Sequence, residues 1–269
     1  SAVAVLLALV VGMTQLQGVD RWLLPASSGD IGMAEEKPVG AGVRVYVGLD
    51  EAATPGKRAA LAVERLEQAG GLDRRAVLVA VPTGSGWVNP EAVAGLEAAT
   101  GGDLATVAVQ GGSAPSWVEL VLRRADHEAA AGAVLEAVTA RVRAMPESER
   151  PRVYLLGESL GALVGRTLLR KEGSVGEEVC GAVWAGVPGG VSAASPAEQV
   201  HGNSDDPVVF WRPELLVRQP GTWPAPVWLP GVSYLGVTLD LLASLGPPPG
   251  HGHVYGPEQD WQLPESCRA

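Results

Sequence analysis

Apolar residues along this chain occur in two textures. Short, mostly apolar blocks, Val43 to Gly48, Ala76 to Val81, Ala105 to Val109, Arg152 to Leu156 and Val179 to Val187, read as strands, and the almost wholly apolar ones such as Ala76 to Val81 suit a parallel sheet covered on both faces. Longer stretches between them carry the wider spacing of helices. Pro55 to Gly70 is amphipathic and stops at Gly70-Gly71, and Asn89 with Pro90 supplies an N-cap and a first-turn proline for a helix to about Ala99. An Ala-rich helix follows from about Asp126 to Met145, and another from Leu160 to about Arg170. The order βαβαβαβ predicts an α/β fold with a mainly parallel sheet and helices on both faces. Beyond Val187 the chain is rich in Gly and Pro, with a strand-like Glu198 to His201 and a helical stretch from about Val232 to Leu245. No internal repeat is visible.

Residues 1–42 stand apart from the domain that follows, 43–269. Ala2 to Met13 is a nearly unbroken run of Ala, Val and Leu, shorter than the ~20 residues of a membrane-spanning helix and without the basic region of a secretory signal. It reads as a membrane-helix remnant, giving membrane association through the N-terminus, or as a buried N-terminal helix. Leu24 to Gly42 has linker composition.

Thirty Asp and Glu against 20 Lys and Arg give a net charge of −10. That field repels phosphate backbones, so nucleic acid is not an expected partner. Cys180 and Cys267 are too few for a disulfide framework; two inert thiols are expected, with a disulfide between them as the alternative. No His/Cys cluster has zinc spacing, and no metal is expected.

The chemistry concentrates in Gly157-Glu158-Ser159-Leu160-Gly161, a GxSxG between the strand ending at Leu156 and the helix starting at Leu160. In that context the glycines let strand and helix approach around a strained turn that lifts the serine hydroxyl above the sheet edge, at the positive end of the helix. Ser159 is therefore the candidate nucleophile. A hydroxyl needs an imidazole to take its proton and a carboxylate to orient that imidazole, in the order Ser, Asp or Glu, His. The turn Asp205-Asp206-Pro207 offers the acid. Asp206 is preferred because the following proline keeps it extended. The loop Pro247 to Tyr255 offers two histidines, of which His253 is preferred and His251 is the alternative.

Two backbone donors must face the developing oxyanion. One is the amide of Leu160; the other belongs to the loop Pro82 to Trp87 after the Ala76 to Val81 strand, at Thr83 or Gly84. That loop lacks the lysine of a Walker motif and the glycine spacing of a dinucleotide site, which argues against a phosphate cradle. Trp87 and Trp117 are candidate walls of an apolar acyl pocket.

From about Val43 to Trp261 the chain resembles the catalytic domain of an actinobacterial family of membrane-anchored α/β-hydrolases. The resemblance rests on Arg44 to Leu49, Pro82 to Val88, Gly102 to Gln110, Pro115 to Trp117, Gly157 to Gly161, Ser204 to Pro207 and Gly250 to Tyr255. It implies an α/β-hydrolase fold, membrane helices ahead of the domain, and a triad of Ser159, Asp206 and one terminal histidine. Two departures, Gly111-Gly112 where an aromatic residue is expected and a short lid segment between Val187 and Ser204, predict a more open pocket. The expected reaction is hydrolysis of an acyl or lipid-like ester through an acyl-enzyme, without a cofactor. The alternatives are an acyltransferase using the same intermediate and a non-catalytic binding domain on the same fold.

Overall fold

The computed structural model describes residues 40, 42–113, 123–171, 175–190, 192–211, 217–218, 229–231, 250–265 and 267. The expected apolar run Ala2 to Met13, the helix Val232 to Leu245 and Trp117 lie outside them.

Six strands form one all-parallel sheet in the order β1-β3-β2-β4-β5-β6. They are β1 (Val43–Val47), β2 (Ala76–Val81), β3 (Leu104–Val109), β4 (Arg152–Glu158), β5 (Gly181–Ala185) and β6 (Glu198–His201). The helices are α1 (Pro55–Gln68), α2 (Pro90–Ala99), α3 (Arg124–Arg143), α4 (Leu160–Arg170) and the short α5 (Pro207–Phe210). Every residue of β2 and β3 is buried, as the all-apolar sequence of β2 and the nearly apolar sequence of β3, interrupted by Thr106, require of central parallel strands.

Local signals account for most boundaries. Thr54 caps α1 through its Oγ1, which accepts from the Lys57 amide, and Pro55 takes the first turn. The helix ends at Gln68, two residues before the left-handed Gly70. Asn89 caps α2 by accepting from the amides of Glu91 and Ala92. β1 and β3 differ from expectation by one residue at one end, and β4 and β5 by more, β5 beginning only at Gly181. β4 runs on to Glu158 because Gly157 and Glu158 still find partners in Trp184 and Ala185 of β5. β5 stops at Ala185, short of Val187, because Gly186 takes a positive φ of 54°.

The core is split by the sheet. On one face α1, α3 and α4 cover Val77, Val79, Val81, Val107, Leu155 and Trp184. On the other, α2 and the C-terminal segment cover Leu78, Ala80, Tyr154, Leu156 and Val183, with Tyr255 and Trp261 packed among them. The helices after β2 and β4 thus leave on opposite faces. From β2 the chain crosses to β3 and from β4 to β5, in opposite directions along the sheet, so the carboxyl ends of these paired strands are the switch point where a parallel sheet opens a crevice.

Cys180 and Cys267 form a disulfide spanning 87 residues, which replaces the expectation of two inert thiols. The pairing follows from the tail's path: Trp261 packs so tightly against Gly95 of α2 that a Cβ there would come within 2.7 Å of the indole, and Pro264 lies beside Gly181 at the start of β5. Sequence separation hid this proximity.

Candidate active site

Ser159 joins β4 to α4 with φ 55° and ψ −120°, the only positive φ of a non-glycine residue among the described residues. Such a conformation costs on the order of 1–3 kcal/mol and persists only where its surroundings enforce it. Here the Ser159 amide donates to the Ala185 carbonyl of β5 at 3.0 Å, and its carbonyl accepts from Leu163 of α4 at 3.1 Å. Both glycines of the elbow are needed for space. A Cβ on Gly157 would meet the Gly161 and Ala162 backbone at 2.6 Å, and one on Gly161 would run into the carbonyls of Val81 and Pro82. The second approach brings the elbow against the loop after β2.

The turn after β6 and the C-terminal loop bring the expected acid and base together. Asp206 is fully buried and His253 is 5% exposed. The His253 Nδ1 lies 2.7 Å from Asp206 Oδ2, while Asp206 Oδ1 accepts from the Val208 amide at 2.8 Å and so caps α5. Burial by itself would lower the His253 pKa, but the Asp206 carboxylate, helped by Glu158, outweighs it and holds the imidazole above the ordinary histidine value. The ring rests on Gly186, directly after the Ala185 carbonyl that holds the Ser159 amide. His251 goes elsewhere. Its Nδ1 meets Asp205 Oδ2 at 3.1 Å on the surface, with both side chains more than half exposed, and the Gly252 amide donates to Asp205 Oδ1.

Leu160 is the first residue of α4, so its amide is one of the helix-start donors without an intrahelical acceptor. The Thr83 amide donates to the Trp87 carbonyl at 2.9 Å and closes the loop on itself; Gly84 follows it in the same loop. Tyr46 holds this loop from β1 by donating to the Gly86 carbonyl at 2.6 Å. Trp87 lines a small cavity between the ends of β2 and β4, together with Val81, Thr83, Asn89, Glu158 and Ala185. The glycine at position 111 also has a reason. A Cβ there would come within 2.7 Å of the ring of buried His127 on α3.

Two participants escaped the sequence reading. Tyr255 donates its hydroxyl to Asp206 Oδ2, the oxygen that also meets His253. Burial and the neighbouring carboxylate push its pKa well up, so it remains a phenol that can donate. Glu158, 6% exposed, accepts from Asn89 Nδ2 at 2.8 Å, and the same amide nitrogen donates to the Tyr255 carbonyl at 2.8 Å. Burial raises the Glu158 pKa from 4.5 to about 7, against the lowering influence of His253 and Asn89. In sequence Glu158 is the variable residue of GxSxG and Asn89 is a helix cap. Nothing local marks their contact.

A parallel sheet whose central strand ends in a strained serine turn, with a buried Asp–His pair at the same edge, defines an α/β-hydrolase architecture. The model of the alpha/beta-hydrolase family matches residues 43–200 and 197–263, and the chain belongs to that family, which supports hydrolase chemistry. No curated protein matches the chain. Among the described residues no helix is long and apolar enough to cross a membrane, and no group of three or more His, Cys, Asp or Glu side chains could hold a metal ion.

Proposed function

We propose that this protein is a serine esterase that cleaves a carboxylic ester, of acyl or lipid-like type, through an acyl-enzyme at Ser159. The observation that carries the reading is the buried 2.7 Å contact between His253 and Asp206 on the same sheet edge as the strained Ser159 turn. Asp206 accepts from His253 Nδ1–H, which fixes the tautomer in which Nε2 can accept a proton. Ser159 Oγ attacks the ester carbonyl carbon as its proton passes to His253 Nε2. The carbonyl oxygen becomes an oxyanion facing the amides of Leu160 and Gly84. Collapse expels the alcohol, which takes the proton from His253. A water molecule then repeats the cycle on the acyl-enzyme, releasing the acid and regenerating the Ser159 hydroxyl. The lipid-like class of substrate is supported by Trp87 in the cavity between β2 and β4 and by the apolar run Ala2 to Met13.

A fluorophosphonate probe tests the reading directly. The wild-type protein is expected to be labelled and Ser159→Ala is not. An unlabelled wild type, or labelling that survives Ser159→Ala, overturns it.

A further inference from the structure

The carboxyl of Glu158 is buried beside the residues assigned above, yet the acyl-enzyme chemistry gives it no task. It extends on the α2 face of β4, the face shared by Tyr154 and Leu156, and lines the cavity at the strand end. The charged and titratable groups that face it are His253 and Tyr255 from the C-terminal loop and Asp206 from the turn after β6. From α2 it meets the neutral Asn89 amide, and Ala185 of β5 lines the same cavity. Asn89 is committed on every side. Its Oδ1 caps α2, and its Nδ2 donates to both Glu158 and the Tyr255 carbonyl. One buried amide therefore ties the residue preceding Ser159 to the loop that carries His253.

We propose that Glu158 is a positioning residue whose ionised carboxylate, held by Asn89, sets a second negative charge beside His253 and stabilises the imidazolium formed during acylation of Ser159. A buried carboxylate acts on a nearby cation through a low-dielectric medium, so its influence is far larger than that of a surface charge. Protonation of Glu158 removes the charge and leaves Asp206 alone to support the imidazolium. The pKa of about 7 puts that change in the neutral range. This inference rests on the relay of Ser159, His253 and Asp206 proposed above.

The test compares kcat/KM and kcat against pH for the wild type, Glu158→Gln and Glu158→Asp on a short p-nitrophenyl ester. Glutamine keeps an acceptor for Asn89 but carries no charge. Its plateau kcat is expected to fall roughly tenfold, and its acidic limb to move down by about 0.5–1 in pH, because loss of a nearby anion makes the imidazole less basic. Aspartate should restore part of both. In wild-type protein with ¹⁵N-labelled histidine, the His253 ring is expected to show a second inflection near the Glu158 midpoint, a readout that does not depend on the variants folding. An unmoved profile in folded Glu158→Gln, or a single His253 inflection, overturns the role of Glu158 while fluorophosphonate labelling of Ser159 stands. Absence of labelling overturns the relay, and this inference with it.

Discussion

His253 lies against Gly186 with no room for a methyl group between them: a Cβ on Gly186 would come within 2.8 Å of the imidazole Nδ1. Gly186 also has φ 54°, a region that side chains disfavour, and its neighbour Ala185 holds the Ser159 amide. One glycine thus registers the imidazole against the strand that carries the elbow.

Gly186→Ala should therefore push the imidazole out of place. A displacement of about 1 Å in a reacting group is enough to cost on the order of 100-fold in rate. A fall of that size in kcat/KM for a p-nitrophenyl ester is expected, alongside a stability loss of about 1–2 kcal/mol from the left-handed backbone. Activity within threefold of wild type would contradict the placement.

The two histidines of the C-terminal loop should separate cleanly. His253→Ala removes the buried partner of Asp206 and is expected to lower kcat by about 10³-fold or more. His251→Ala breaks an exposed pair with Asp205, an interaction typically worth below ~1 kcal/mol, and should leave kcat within a few-fold of wild type. The reverse order of effects would assign the base to His251.

Glu158 also has a stability signature. Its folded pKa, about 7, lies above the 4.5 of an unperturbed carboxyl, so the native state binds the proton more tightly than the unfolded chain. The resulting stability is complete below about pH 4.5 and is lost as pH rises through about 7. Glu158→Gln escapes this loss. In urea titrations its advantage over wild type should grow from near zero at acidic pH to about 3 kcal/mol at pH 8. A pH-independent difference would show that the carboxyl is not held protonated by burial.

The Cys180–Cys267 disulfide closes a loop of 87 residues that contains both Asp206 and His253. In the chain-entropy account a closure of that length contributes roughly 4–5 kcal/mol. Cys267→Ser, or reduction in the presence of urea, is expected to lower the unfolding midpoint accordingly. An unchanged midpoint would mean that Tyr255 and Trp261 alone retain the tail.

The sequence by itself determined the local architecture. The blocks Ala76 to Val81 and Leu160 to Arg170 are legible to the residue, because an all-apolar run has to be buried on both faces and because a helix start is set by the turn before it. The elbow around Ser159 was legible for the same reason: its two glycines answer to backbone contacts of the turn and the adjacent strand. Only the tertiary structure decided among equivalent candidates. His251 and His253 are two residues apart, each preceded by glycine, yet one lies on the surface and the other is buried, depending on how the tail crosses α2 and β5. Glu158 met Asn89, Cys180 met Cys267 and the Thr83 amide turned to Trp87 by the same logic. Hydrophobic pattern and turn chemistry act over a few residues, whereas burial and charge at a site depend on segments that only packing brings into contact.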